Sequence, residues 1–264
     1  MDILIATALV VSIGLFAGIL LALAAHFLQV KEDETVVRIR ECLPGANCGA
    51  CGYTGCDEYA KAIANGDTSP SLCIPGGNDT AKTLASILGE EVTVSEKKIA
   101  RVHCNGTCDA TFKKADYHGV PSCTAASMLY GGPGACRFSC LGGGDCAAVC
   151  PVDAICIRDG VARVDPRKCI ACGRCVKTCP KNLITLIPET AETVVLCNNT
   201  EKGAVARKQC ENACIACKKC EKSCPENAIQ VENNLARINY DRCTSCGICA
   251  SVCPTHCIKI VTKA

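Results

Sequence analysis

One spacing governs what this chain can fold into. Cys169-x2-Cys172-x2-Cys175-x3-Cys179-Pro180 recurs 74 residues later as Cys243-x2-Cys246-x2-Cys249-x3-Cys253-Pro254. The same offset carries Cys150-Pro151 onto Cys224-Pro225, Cys146 onto Cys220, Cys140 onto Cys214, Cys136 onto Cys210 and Cys123 onto Cys197. A gapless repeat of this kind means that one supersecondary unit is written twice. In the second copy the first half-motif is complete, as Cys214-x2-Cys217-x2-Cys220-x3-Cys224-Pro225. Two such runs in one unit are the two-cluster ferredoxin pattern, in which the fourth cysteine of each run ligates the other cluster. The expected ligand sets are therefore Cys214, Cys217, Cys220 and Cys253 for one [4Fe–4S] cluster, and Cys243, Cys246, Cys249 and Cys224 for its neighbour.

Composition supports metal over a conventional core. The 28 cysteines outnumber the 22 glycines, Trp is absent and aromatic residues make up 3% of the 264 residues. A chain so poor in large rings lacks the usual core-builders. A disulfide framework is the competing use of so much cysteine, but C-x-x-C spacing in a reducing compartment points to metal. Zinc also accepts four cysteines, yet the crowded C-x2-C-x2-C run with its following Cys-Pro is specific to clusters. A net charge of +2 excludes the strongly basic balance of a nucleic-acid binder.

Within each copy the half-motifs flank a predicted β-hairpin. Ile155–Arg158 and Val161–Val164 surround Asp159-Gly160, a strong hairpin turn, and Ala228–Val231 and Leu235–Ile238 surround Asn233-Asn234. Each copy thus reads as a small α+β unit.

The first copy departs from the pattern, because Gly143 stands where the second copy has Cys217. The cluster on Cys169, Cys172, Cys175 and Cys150 is complete. The one expected on Cys140, Cys146 and Cys179 lacks a ligand. Two completions are open: Cys136 supplies the fourth sulfur, or the site holds a three-cysteine [3Fe–4S] cluster. Upstream, Cys104, Cys108 and Cys123 could form a sixth site with Cys136, which would leave the Gly143 cluster short. Cys42, Cys156, Cys197, Cys210 and Cys257 read as packing thiols, since unligated cysteine often behaves as a small buried hydrophobe.

A separate module precedes the repeats. Cys48-Gly-Ala-Cys51-Gly-Tyr-Thr-Gly-Cys56 packs three thiols into nine residues, with glycines that let the backbone turn tightly. A helix over Asp57–Asn65, stopped at Gly66, would return the chain so that Cys73 closes a fifth [4Fe–4S] site. Ahead of it, Ile3 to Val30 contains no charged residue, long enough to span a bilayer of about 30 Å. A signal peptide would be shorter and preceded by Lys or Arg. Lys31, Arg38 and Arg40 just after the segment predict that the rest of the chain faces the cytoplasm. The expected domains are an anchor over 1–30, a four-cysteine domain over 31–76, a connector over 77–103 with a short helix over Thr80–Leu88, and ferredoxin-like modules over 104–190 and 191–264.

No residue stands out as a catalyst. His26, His103, His118 and His256 are isolated, and there is no dinucleotide fingerprint. Basic residues gather around one half-motif (Arg163, Arg167, Lys168, Arg174, Lys177 and Lys181) and around another (Lys218, Lys219 and Lys222). Either group could steer an acidic donor.

Taken in order, the anchor, the Cys48–Cys73 module and the doubled ferredoxin units resemble the B subunit of the Rnf complex, in its longer cysteine-rich form found in anaerobes. The Cys48–Cys56 motif by itself is shared with corrinoid iron–sulfur proteins, so only the combination is specific. The resemblance implies a membrane-bound electron relay. It would take electrons from reduced ferredoxin and pass them to membrane-embedded and flavin-carrying subunits, and finally to NAD+. The complex would couple that transfer to Na+ or H+ translocation, in which a single helix without an internal carboxylate cannot be the ion path. A subunit of another membrane oxidoreductase, of formate dehydrogenase or hydrogenase type, shares ferredoxin repeats but not the Cys48–Cys73 module.

Overall fold

The structure is a computed structural model that describes residues 2–27, 33–89 and 96–261. It opens with α1 (Asp2–Phe27), a 26-residue helix. Its described side chains face outward, among them Ile5, Leu9, Phe16 and Leu21. No described helix is long and apolar enough to cross a membrane. Residues 28–30 of the expected anchor, and Lys31, lie outside the described residues.

Three helices form the next unit: α2 (Glu34–Cys42), α3 (Cys56–Ala64) and α4 (Gly77–Leu88). Asp33 caps α2 by accepting from the Thr35 amide at 2.9 Å. The predicted stop of α3 takes the form of a Schellman motif. The Asp67 N–H donates to Ala62 and the Gly66 N–H to Ile63, with Gly66 at φ +76°. α4 covers the predicted Thr80–Leu88 helix and ends at Gly89, also left-handed. Ile39, Tyr59, Ile63 and Leu84 fill the core between the three helices, each 1% exposed or less.

The two ferredoxin-like modules then follow the same plan. The first holds β1 (Lys98–Val102), α5 (Cys123–Met128), α6 (Asp145–Ala148), β2 (Ile155–Arg158), β3 (Val161–Val164), α7 (Arg174–Thr178) and β4 (Ile184–Pro188). The second holds β5 (Thr193–Val195), α8 (Gly203–Gln209), α9 (Lys219–Lys222), β6 (Ile229–Glu232), β7 (Leu235–Ile238), α10 (Ile248–Ser251) and β8 (Ile258–Ile260). The β2–β3 and β6–β7 hairpins form where the sequence predicts them. Asp159 and Gly160, like Asn233 and Asn234, all adopt the positive φ that a two-residue I′ turn requires.

Each module is closed by a second antiparallel ribbon, β1 with β4 and β5 with β8. β1 lies within the stretch 77–103 and pairs with β4, beyond the first module's last cysteine. Where the modules meet, Ile99, Ile187, Ala191, Val194 and Leu196 make a shared apolar core. His103 spans the same junction: one ring nitrogen lies 2.7 Å from the Val195 carbonyl and the other 2.7 Å from the Thr185 hydroxyl.

Tyr59 ties the helical unit together. Its hydroxyl donates to the Ser69 carbonyl (2.9 Å) and accepts from the Leu72 N–H (3.1 Å), fixing the loop that carries Cys73. Replacing Tyr59 with Phe leaves both backbone groups short of a partner inside the protein. A loss of about 1–3 kcal/mol is expected, measured by anaerobic urea unfolding.

Candidate metal centres

The geometry of the half-motif loops follows from a repeated backbone device. In Cys169–Cys175 the residues Ala171 and Gly173 have positive φ. The same two positions are left-handed in Cys214–Cys220 (Ala216, Lys218) and in Cys243–Cys249 (Ser245, Gly247). Alternating left- and right-handed residues turn successive N–H groups toward one concave side, a nest suited to a negatively charged guest. A thiolate-ligated cluster is such a guest. Three thiols and a ring of amides thereby face one space, and a fourth thiol arrives from the other half of the module.

Three of these spaces are small clefts. Cys150, Cys169, Cys172 and Cys175 line one. Cys224, Cys243, Cys246 and Cys249 line its counterpart in the second module. In both, the fourth thiol comes from the opposite half-motif, the crossing expected of paired clusters. The third cavity is lined by Cys123, Cys140, Cys146 and Cys179. The second module's other thiols, Cys214, Cys217, Cys220 and Cys253, are mutual electrostatic neighbours, and Cys257 Sγ sits 3.5 Å from Cys253 Sγ. In the helical unit Cys48, Cys51, Cys56 and Cys73 gather likewise. Asn47 supports that loop by accepting the Cys56 amide at 2.8 Å.

The third cavity corrects the expectation for the Gly143 site. The loop around Gly143 keeps the half-motif conformation, with Gly142 and Gly144 left-handed, and lacks only the sulfur. Cys123 occupies that space: a Cβ at position 143 would lie 2.8 Å from the Cys123 nitrogen and 3.0 Å from its Sγ. Asp145, two residues after Gly143, docks the incoming segment. Its carboxylate accepts from the Cys123 and Thr124 amides (2.8 and 3.0 Å) and from the Ser122 and Thr124 hydroxyls (2.9 and 3.1 Å). Burial pushes the Asp145 carboxyl pKa up, but these bonds outweigh it and hold the group below its ordinary value.

Cys136, the sequence-based candidate for this site, points elsewhere. Its sulfur accepts from the Asn199 side-chain amide at 3.4 Å and neighbours Cys197 and Cys210. The grouping of Cys104, Cys108 and Cys123 dissolves as well. Cys104 neighbours Cys197, Cys108 is exposed against the β2–β3 turn, and Cys123 has the role just described. Cys197 and Cys210, read from sequence as packing thiols, lie with Cys104 and Cys136.

None of the 28 cysteines forms a disulfide. Among the described residues no three Cys, His, Asp or Glu side chains converge tightly enough for a single metal ion. As thiols several of these groups are hard to ionise: burial pushes Cys175 and Cys249 up to about 11, and Cys146 and Cys220 up to about 12, whereas hydrogen bonds with Cys257 lower Cys214 and Cys253. Metal inverts that balance, since a coordinating thiol is deprotonated outright. Four thiols around a cavity rimmed by N–H donors fit a cubane cluster in donor type, number and charge.

Fold and site together define a multicluster ferredoxin-type iron–sulfur protein. Family models agree along the chain: "Putative Fe-S cluster" over residues 43–75, 4Fe-4S binding domain over 162–185 and 4Fe-4S dicluster domain over 204–260. The chain is 49% identical over 247 residues to the B subunit of the Na(+)-translocating ferredoxin:NAD(+) oxidoreductase complex of Acetobacterium woodii, covering 93% of this chain and 74% of that one. It is 36% identical to the B subunit of the proton-translocating ferredoxin:NAD(+) oxidoreductase complex of Clostridium ljungdahlii (95% and 90% covered). It is also 36% identical to the B subunit of the ion-translocating oxidoreductase complex of Methanosarcina acetivorans (96% of each chain). The chain belongs to this family, the B subunits of the Rnf complexes, and not to the formate dehydrogenase or hydrogenase type.

The Cys123 geometry has a direct readout. Cys123→Ala is expected to convert one four-iron centre to a three-iron one, with loss of about one iron per chain and the appearance of an oxidised [3Fe–4S] EPR signal. Cys136→Ala is expected to leave that centre in its four-iron form.

Proposed function

We propose that this subunit takes electrons from reduced ferredoxin and conducts them through its clusters to the membrane-embedded and flavin-carrying subunits of the complex, on the way to NAD+. It performs no bond chemistry of its own. The complex couples the transfer to Na+ or H+ translocation, and the relatives named above include both kinds. The single observation that carries the reading is the succession of four-thiol sites along the chain, paired within each module and joined to the helical unit where Cys172 neighbours Cys48. The five ligand sets are Cys48, Cys51, Cys56 and Cys73; Cys150, Cys169, Cys172 and Cys175; Cys123, Cys140, Cys146 and Cys179; Cys214, Cys217, Cys220 and Cys253; and Cys224, Cys243, Cys246 and Cys249. When bound, [4Fe–4S] clusters supply one-electron redox steps. The protein's residues hold them, exclude water and set their potentials through hydrogen bonds, charge and exposure.

Direction along the relay follows from its two ends. At one end Arg174, beside Cys172 and Cys175, donates to the Asn47 carbonyl at 2.9 Å and to the Cys48 carbonyl at 3.5 Å. That contact joins the first ferredoxin module to the helical unit that follows α1. The anchor is read from the sequence, in which Ile3 to Val30 carries no charged residue. We take that segment as a single-pass anchor in the cell membrane, with the cluster domains on the cytoplasmic side where Arg38 and Arg40 lie. The helical unit is then the exit toward the membrane.

The opposite end receives ferredoxin. Of the two basic groups, the first is half committed within the fold, with Arg167, Lys168 and Lys177 left exposed. Arg163 donates to Asn105, Arg174 to the helical unit, and Lys181 to the Gly131 and Arg137 carbonyls. The second, Lys218, Lys219 and Lys222, is exposed beside the exposed Cys217, with only a 3.7 Å contact from Lys218 to Glu221. These lysines flank ligands of both second-module clusters and suit an acidic donor.

Reversing all three lysines to Glu in the intact complex is expected to raise the KM for ferredoxin at least tenfold and to flatten its dependence on salt. Lys177→Glu is expected to change neither. Unaltered ferredoxin kinetics in the triple variant would remove this docking site.

A further inference from the structure

Twenty cysteines are accounted for by the five sites, which leaves Cys42, Cys104, Cys108, Cys136, Cys156, Cys197, Cys210 and Cys257. Four of these meet between the modules. Cys104 and Cys136 come from the first module, Cys197 and Cys210 from the second. Cys104, Cys136 and Cys210 are 6–8% exposed. A Cβ placed on Gly106 would be 3.6 Å from both Cys104 Sγ and Cys210 Sγ, so both sulfurs border the same small space. Asn199, 1% exposed, joins the other two: its side-chain amide donates to Cys136 Sγ (3.4 Å) and its backbone N–H to Cys197 Sγ (3.5 Å).

The arrangement has an internal two-fold logic. Cys104 stands two residues after β1 and Cys197 two residues after β5, in the matching strings Cys104-Asn-Gly-Thr and Cys197-Asn-Asn-Thr. Each sulfur accepts from the amide two residues ahead (Gly106 N at 3.4 Å, Asn199 N at 3.5 Å). Each also accepts from the first cysteine of its module's half-motif (Cys140 N and Cys214 N, both 3.3 Å). Cys136 and Cys210 each precede that same half-motif cysteine by four residues. N–H groups aimed at sulfur suit a thiolate acceptor, as they do in the sites already described. Around the four, Asn105 accepts from Arg163 (2.9 Å) at its side chain and from Asn212 (2.8 Å) at its carbonyl, which closes the pocket from both modules.

We propose that Cys104, Cys136, Cys197 and Cys210 hold a sixth [4Fe–4S] cluster at the junction of the two modules. It touches the backbone of the Cys140 site on one side and of the Cys214 site on the other, so electrons cross between the modules through it. The proposal rests on the iron–sulfur reading of the other five sites. It also divides the thiols cleanly: twenty-four serve clusters, and Cys42, Cys108, Cys156 and Cys257 do not.

The test is iron, acid-labile sulfide and zinc per chain in the full-length protein, purified anaerobically, beside the double variant Cys136→Ser/Cys210→Ser. Expected are about 24 iron and 24 sulfide in the wild type and about 20 of each in the variant, four per cluster. A wild type with about 20 iron and no zinc overturns the sixth site while the other five stand. About 20 iron with about one zinc that the variant loses also overturns it, in favour of a zinc site. Little iron in the anaerobic wild type defeats the iron–sulfur reading itself. Should the variant fail to accumulate, the wild-type counts alone distinguish these outcomes.

Discussion

The structure depends on the convergence of thiol sulfur and backbone N–H on the same small spaces. Apolar side chains contribute thin cores, such as the group around Val161 and Ile184 and the group around Ile229 and Leu235, and in each the cluster cysteines are themselves members. Hairpins of four-residue strands bury too little to hold a domain alone. Crossed thiols, Cys150 and Cys179 in one module and Cys224 and Cys253 in the other, knit the halves together once metal is bound. Folding and cluster insertion would then be one thermodynamic event, as in other small domains whose ligands are scattered along the chain.

Much of this is legible in the sequence because it is local. The half-motif loops, the Asp159-Gly160 and Asn233-Asn234 turns and the Gly66 and Gly89 stops are fixed by residues within a few positions of one another. The ribbons β1–β4 and β5–β8 are not, because their partners lie more than sixty residues apart and their short apolar runs carry no turn signal between them.

The site is readable where the motif is complete and misleading where it is broken. Sequence distance favours Cys136 as the substitute for Gly143, since it lies only seven residues away, whereas Cys123 is brought in by the Asp145 carboxylate. A second signal lies in the paired strings at Cys104 and Cys197, two residues beyond equivalent strands. The 74-residue offset masks that pairing, because the first module's insertion displaces Cys104 from register and aligns Cys197 with Cys123 instead. The basic cluster near Cys169 shows the same limit of reading charge from sequence. Arg163, Arg174 and Lys181 are spent on bonds within the fold, which their spacing does not reveal.

Gly143 makes the two candidate donors mutually exclusive. With Cys123 seated, a Cβ at position 143 would lie 2.8 Å from its nitrogen and 3.0 Å from its Sγ, so a cysteine placed there would collide with the segment that Asp145 docks. The two modules are therefore not interchangeable: the complete loop of the second cannot be grafted onto the first unless the segment around Cys123 is removed with it.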